Sequence, residues 1–497
     1  MPSVVLVHGY SETSLGAYQH IPELLSAAGF DTIVLSAFDS LDDFVTIDDL
    51  AGALEMRVAD LEATGFDVRS AAFVCHSTGA LVVRRWILNR RAAAATPDVA
   101  VLPQRIVTMA GANHGSSLAE IGKTPIGYLQ KLLFSHVLSV GKGVLTDLEY
   151  GSDFLWRLND EWLTAWNDAQ HPLHAQMLAF SLGGDCIGND KAMKLFWATC
   201  ESGSDNTVRI SGANLNYTFL DADPSVNPPK IQPRFLNRLV PHLILHRYSH
   251  FDSDTGVLHA TAAGDVAFTA LLTALQTVAA DYDDLAQRWA ARNLAWTNGN
   301  PNDANSTVVF GLKDQVGRPI ADCMIAFWDE QDIQGDPRNV TLAPSQPAGA
   351  EFVAPAAETA AEAATRQQVI DASLSSSDAI LDHSPIHNDV AVGSYSFYLN
   401  YPKWCGPDGQ RHHAVYIEAV SESQYIDYKA TIYRPSVDIN RLIQANQFTY
   451  VRVTLSRDSD NEYAMYKWDP ALDAAARKAA VWRPFPTLPS GVPRRPT

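Results

Sequence analysis

The sequence predicts an α/β unit, a mostly parallel sheet covered by helices on both faces, joined to a C-terminal all-β sandwich. Three observations carry this. Between Val4 and about Leu275, short apolar runs alternate with amphipathic helical periods, the pattern of a parallel sheet buried on both sides. Within that alternation, residues 73–80 switch from a strand period to a helix period across one serine, Ser77. Beyond the turn formers at 298–303, strand-like periods take over.

Taken in order, the run Val4, Val5, Leu6, Val7 is a first strand ending at His8-Gly9-Tyr10. A helix period through Ile21, Leu24, Leu25 and Ala28 closes at Gly29, and a second strand covers 32–35. An amphipathic helix through Leu50, Leu54, Val58 and Leu61 precedes the strand that leads to Ser77. After the helix that follows Ser77, another strand at 105–110 runs into Gly111-Ala112-Asn113-His114-Gly115-Ser116.

From about 117 to 171 the alternation stops and helical segments carry apolar positions such as Ile126, Leu133, Phe154, Trp156 and Trp162. Two readings stand, an ordinary helical insertion packed on the core and a helical cap or lid whose apolar inner face would hold an acyl chain, and the position of the insertion at the Ser77 end of the sheet favours the cap. Strands resume at 176–182 and 242–248, and a helix from 261 to 275 completes the unit. The predicted domains are therefore 1–298, the α/β domain with its insertion, 299–470, the β sandwich with an Ala-rich insertion at about 343–372, and 471–497, a Pro-rich tail. Within the sandwich, Tyr395, Tyr398, Trp404 and Tyr425 read equally as core or as exposed aromatics.

Composition narrows the function. The chain has 497 residues, 46% of them hydrophobic and 19% charged, enough for at least two cores. A formal net charge of -19 repels phosphate backbones, so no nucleic-acid partner is expected. No stretch reaches the roughly 20 apolar residues of a membrane span, which leaves only transient contact with a lipid interface. Five scattered cysteines without C-x-x-C spacing argue against a zinc site or a disulfide framework. The first residues enter a strand without the basic region and apolar segment of a secretory signal. A cytoplasmic chain is expected, although a processed secreted chain would begin in the same way.

Ser77 is the candidate nucleophile. On a sharp strand-to-helix turn its hydroxyl stands above the carboxyl end of the sheet, and the N–H of Thr78 points where an oxyanion would form. Cys75 stands where a G-x-S-x-G turn has its first glycine, and this counts mildly against the motif. A serine hydroxyl needs a histidine to take its proton and a carboxylate to orient that histidine. Asp205 and His250 follow Ser77 in the order such sheets use.

At these residues the chain resembles a bacterial lipase or esterase of the α/β-hydrolase superfamily. His8-Gly9-Tyr10 resembles the oxyanion loop, which assigns the second oxyanion N–H to Tyr10. Ala112-Asn113-His114-Gly115-Ser116 resembles a Pro-His-x-Gly-Ser stretch without its proline. Residues 151–159 are similar to a cap segment, and Ser204-Asp205-Asn206-Thr207-Val208 resembles a Ser-Asp-Gly-x-Val acid loop with Asn206 for glycine. The resemblance covers roughly residues 1–280. It implies a serine hydrolase cleaving carboxylic esters with apolar acyl groups, through Ser77, Asp205 and His250, with Tyr10 and Thr78 as the oxyanion hole and no cofactor or metal.

Alternatives stay open at this point. Asp185 competes with Asp205, and His246 and His259 compete with His250. His8, His76 and His114 read as hydrogen-bonded loop histidines that shape the site. Asp185, Asp190, Asp252 and Asp254 show no ordered calcium spacing and read as solvated loop acids. An amidase, a thioesterase, a polyester depolymerase or a non-catalytic binding scaffold would present similar motifs.

Overall fold

The structure, a computed structural model, describes residues 2–9, 18–35, 42–116, 142–186, 201–223, 230–250, 254–300, 303–320, 323–329, 380–384, 393–406, 413–419, 428, 431–433 and 442–457. In chain order the first elements are β1 (Ser3–Val7), helix α1 (Ile21–Ala27), β2 (Asp31–Leu35), helix α2 (Ile47–Ala63), β3 (Ala72–His76), helix α3 (Gly79–Ala93) and β4 (Arg105–Met109). The strands that follow are β5 (Leu178–Gly184), β6 (Tyr217–Asp223), β7 (Lys230–Phe235) and β8 (His242–Leu245). Then come β9 (Asn305–Asp314), β10 (Cys323–Asp329), β11 (Ile380–Ser384), β12 (Ser394–Asn400), β13 (His413–Ala419), β14 (Thr431–Tyr433) and β15 (Phe448–Leu455).

Six strands form a parallel sheet in the order β2-β1-β3-β4-β5-β8. The chain steps from β1 to β2 in one direction, then returns past β1 to lay down β3 on its other side. The carboxyl ends of β1 and β3 therefore flank the switch point, where open parallel sheets bind their ligands. Strand residues alternate between two cores: Val5, Val7, Phe73 and Cys75 belong to one, and Val4, Leu6, Ala72 and Val74 to the other. Burial on both faces is why these strands read as continuous apolar runs.

Local signals set the helices. Thr46 caps α2 by accepting from the Asp49 N–H at 3.3 Å while the Asp49 carboxylate accepts from the Thr46 N–H at 2.9 Å, a reciprocal cap. The helix Asp153–Trp166 starts where the Ser152 hydroxyl accepts from the Leu155 N–H. A helix from Tyr282 to Gly299, which the sequence reading lacks, covers the second core through Tyr282, Leu285 and Trp289.

The second sheet also has six strands, β11-β12-β9-β15-β6-β7, in which β15 runs parallel to both neighbours. A three-stranded sheet, β10-β13-β14, shares a core with it through Phe310, Phe327, Val415 and Ile417. This is the expected sandwich, with one difference: β6 and β7 come from residues 217–235, ahead of the boundary expected at 299. The two predicted domains do not separate there, because Tyr217, Phe219, Val309, Phe448 and Tyr450 of the second sheet join the same core cluster as α2 and α3.

The described part of the expected cap, 142–171, lies in that shared core. Phe154, Leu155, Leu158, Trp162 and Leu163 are buried between the two sheets rather than lining an open acyl pocket. Trp156 donates its indole N–H to Ser394 of β12 at 3.2 Å. Among the described residues, the apolar positions read from sequence as surplus are thus an internal layer, their partners including strands distant in the chain. Residues 117–141, the Ala-rich insertion and the Pro-rich tail fall outside the described residues. Tyr395, Tyr398 and Trp404 are all buried.

Candidate active site

Ser77 sits between the last residue of β3 and the N-terminus of α3, with φ of 52°. That left-handed conformation is costly for a residue with a Cβ and persists only where the surroundings enforce it. Here the Ser77 N–H donates to the Met109 carbonyl at 3.3 Å, and the Ser77 carbonyl accepts from Ala112 and Ala80, each at 3.1 Å. Close approach does the rest. A Cβ at Gly79 would stand 2.5 Å from the His8 carbonyl oxygen, and one at Gly9 would stand 2.9 Å from the Ser77 Cβ. The glycines that let β1 and α3 meet are Gly9 and Gly79, so Cys75 is tolerated where a glycine was sought. Cys75 is fully buried, and burial pushes its thiol pKa up, leaving an inert apolar filler.

His250 brings the site together. Its Nε2 lies 3.0 Å from the Ser77 hydroxyl oxygen and its Nδ1 lies 2.8 Å from an Asp205 carboxylate oxygen. The other Asp205 oxygen accepts from the N–H groups of Thr207 and Val208 at 3.0 and 2.7 Å, and the His250 N–H donates to the Asp205 carbonyl at 3.0 Å. With Nδ1 protonated and donating to the carboxylate, the imidazole presents a lone pair at Nε2 to the hydroxyl, the arrangement that proton abstraction requires. All three side chains are buried, Ser77 with 8% exposure as the most accessible. The His76 ring packs against that of His250 with centroids 4.8 Å apart.

The acid loop explains itself locally. Asn206 has φ of 78°, a conformation that asparagine reaches more readily than most side chains, so it can replace the glycine of the resembled motif. The competing candidates lie elsewhere. Asp185 pairs with His246 at 2.6 Å, and His246 is half-exposed beyond the end of β8 rather than inside a strand. His259 hydrogen-bonds Gln19.

Thr78 follows Ser77 as the N-cap residue of α3, so its N–H stands at the positive end of that helix. Tyr10, the other expected oxyanion donor, lies outside the described residues, as do Asp190 and Asp252. Among the described residues no group of three or more His, Cys, Asp or Glu side chains could hold a metal ion, and no helix is long and apolar enough to cross a membrane.

Two residues that the sequence reading passed over support the site. Tyr18 donates its hydroxyl to the carbonyls of Val7 and Val74 at 2.7 and 3.1 Å, tying β1 to β3 just below Ser77. Arg84, one face of α3 away, is fully buried and donates to the Asn113 carbonyl and the Asn159 side chain. His114 is a junction residue. It contacts the Tyr450 hydroxyl and the Asn214 carbonyl, and burial, with Arg84 nearby, holds its pKa well below the ordinary histidine value.

The parallel sheet, its switch point and the strand-to-helix turn at Ser77 define an α/β-hydrolase fold. Solved structures of that fold align with the chain. Phospholipase PlaB from Legionella pneumophila matches with a TM-score of 0.71 at 21% identity, over 94% of this chain and 97% of that one. The same phospholipase in complex with thio-NAD matches with a TM-score of 0.69 at 22% identity, over 94% and 97%. Mature lipase BlEst2 from Bacillus licheniformis covers 56% of this chain and 92% of its own, at 18% identity and a TM-score of 0.39. No family model matches the sequence, and no curated protein does.

Proposed function

We propose that the chain is a serine hydrolase that cleaves carboxylic esters through an acyl-enzyme. The observation that carries this reading is the continuous hydrogen-bonded line from Ser77 through His250 to Asp205, set at the carboxyl end of a parallel sheet. Ser77 Oγ attacks the ester carbonyl carbon as His250 Nε2 takes its proton, and Asp205 stabilises the imidazolium that results. The tetrahedral oxyanion is held by the N–H groups of Thr78 and Tyr10. Collapse expels the alcohol, which receives the proton from His250, and a water molecule activated by the same imidazole then releases the acid.

An apolar acyl group fits a net charge of -19 better than a polyanionic substrate does, and the named activity of the structural neighbour, a phospholipase, supports a lipid ester. Replacing Ser77 with Ala tests the mechanism. Turnover of short p-nitrophenyl esters should fall by a factor on the order of 10⁶, with the thermal unfolding midpoint unchanged; a variant that keeps its turnover overturns the reading.

A further inference from the structure

We propose that Arg209 and Tyr398 are positioning residues for Asp205, so that the second sheet sets the orientation of the acid on which His250 depends. This rests on the roles just given to Ser77, His250 and Asp205. Asp205 lies on the turn 201–210, between β5 and β6 in the chain, and β6 belongs to the second sheet. The turn holds itself in part, by the Asp205 N–H to the Val208 carbonyl and the Ile210 N–H to the Gly203 carbonyl. Its outer side is gripped from far along the chain.

The Arg209 guanidinium, buried to 2% side-chain exposure, makes a two-pronged bond to Glu201 at 2.6 and 2.7 Å, closing the base of the turn. It is stacked between the rings of Tyr398, 4.0 Å away, and Tyr150, 4.8 Å away. Although burial works against the charged form, the Glu201 carboxylate holds the Arg209 pKa above its ordinary value.

The Tyr398 hydroxyl on β12 donates to the Ser202 carbonyl at 2.5 Å, and Asn305 at the start of β9 donates to the same oxygen at 2.8 Å. Gly203, with φ of 74°, meets the same wall: a Cβ there would lie 2.6 Å from the Asp303 carbonyl oxygen and 2.9 Å from the Tyr398 hydroxyl. Positions 303, 305 and 398 thus hold the start of the turn at Ser202 and Gly203, and the Tyr398 ring also meets its far end at Arg209. None of these contacts is needed to build the parallel sheet. Their effect is to stop Asp205 from rotating away from His250 Nδ1.

The test compares Arg209→Lys, which keeps the charge but loses the planar fork, and Tyr398→Leu, which removes ring and hydroxyl, with Phe327→Leu, a core truncation elsewhere in the sandwich. Activity on p-nitrophenyl butyrate is normalised to the burst of Ser77 acylation, with Ser77→Ala run in parallel. The expected result for Arg209→Lys and Tyr398→Leu is a kcat lower by roughly 10–100-fold, with KM little changed. Because lost orientation acts on proton transfer and not on ester binding, the loss should appear in kcat and leave KM in place, and Tyr398→Phe, which keeps the ring, should recover part of it.

Arg209→Lys and Tyr398→Leu alter no charge. Phe327→Leu should keep both kcat and KM per acylated site. A kcat that stays in place, or falls equally in Phe327→Leu, overturns the proposal. If Tyr398→Leu does not fold, Tyr398→Phe carries the same comparison with a smaller loss. Activity retained by Ser77→Ala would instead remove the underlying mechanism, so the two failures are told apart.

Discussion

Ser77 and Asp205 face the same imidazole, yet the chain fixes them over very different distances. Ser77 is held by its immediate surroundings: β3 before it, α3 after it, and β1 pressed close through Gly9 and Gly79. Asp205 is held by its own turn and, behind that, by Asp303, just ahead of β9, and by Asn305 and Tyr398 of the second sheet. The Ser77 side is a problem of local sterics, the Asp205 side one of packing between sheets. A change near Ser77 should therefore act through backbone clash, and a change behind Asp205 through lost orientation.

The contrast can be broken first at the acid itself. Asp205→Asn keeps the size of the side chain but offers Nδ1 of His250 a donor or a neutral acceptor, so the wrong tautomer faces Ser77; kcat should drop by roughly 10⁴-fold, read from ester turnover per folded molecule. On the other side, Gly79→Ala forces a methyl group against the carbonyls of His8 and Val7. It should cost about 2–3 kcal/mol of folding stability, seen in denaturant unfolding, together with loss of acylation.

The smallest expected effect sharpens the difference at the junction. His114 sits neutral among Tyr217, Phe448, Tyr450 and the Asn214 carbonyl, with Arg84 close by. Its folded pKa is depressed, so the unfolded chain binds the extra proton. Its contribution to stability is present above about pH 6.5 and is lost as pH falls below that value, by about 1.4 kcal/mol per pH unit once the unfolded histidine is protonated. Unfolding midpoints taken between pH 7 and 5 should fall less steeply for His114→Asn than for the unaltered chain.

What the sequence made legible follows the same division. Ser77 stood out because strand and helix periods change across one residue, and Asp205 and His250 because they lie in order on loops after later strands. The strands Phe448–Leu455 and Ser394–Asn400 were visible as apolar, aromatic-rich runs. Illegible were features that depend on distant partners. Tyr217–Asp223, a β-favouring run of Tyr, Thr and Phe, was passed over because it falls amid segments assigned to the first domain, and its partner β15 is more than 200 residues away. Trp156, Trp162 and Leu158 looked like a cap because nothing near them in sequence explains their burial. Tyr398 stood out only as a sandwich aromatic and Arg209 only as a neighbour of Asp205: a charged residue on a loop and an aromatic on a strand acquire a joint meaning only when stacked at 4.0 Å.

A fluorophosphonate probe reports the central claim most directly, since it bonds only to a serine whose proton is being taken. Labelling followed by peptide mapping should place the adduct on Ser77 in the unaltered protein and lose it in His250→Gln. An unlabelled protein, or one labelled at the same rate without His250, would contradict the account.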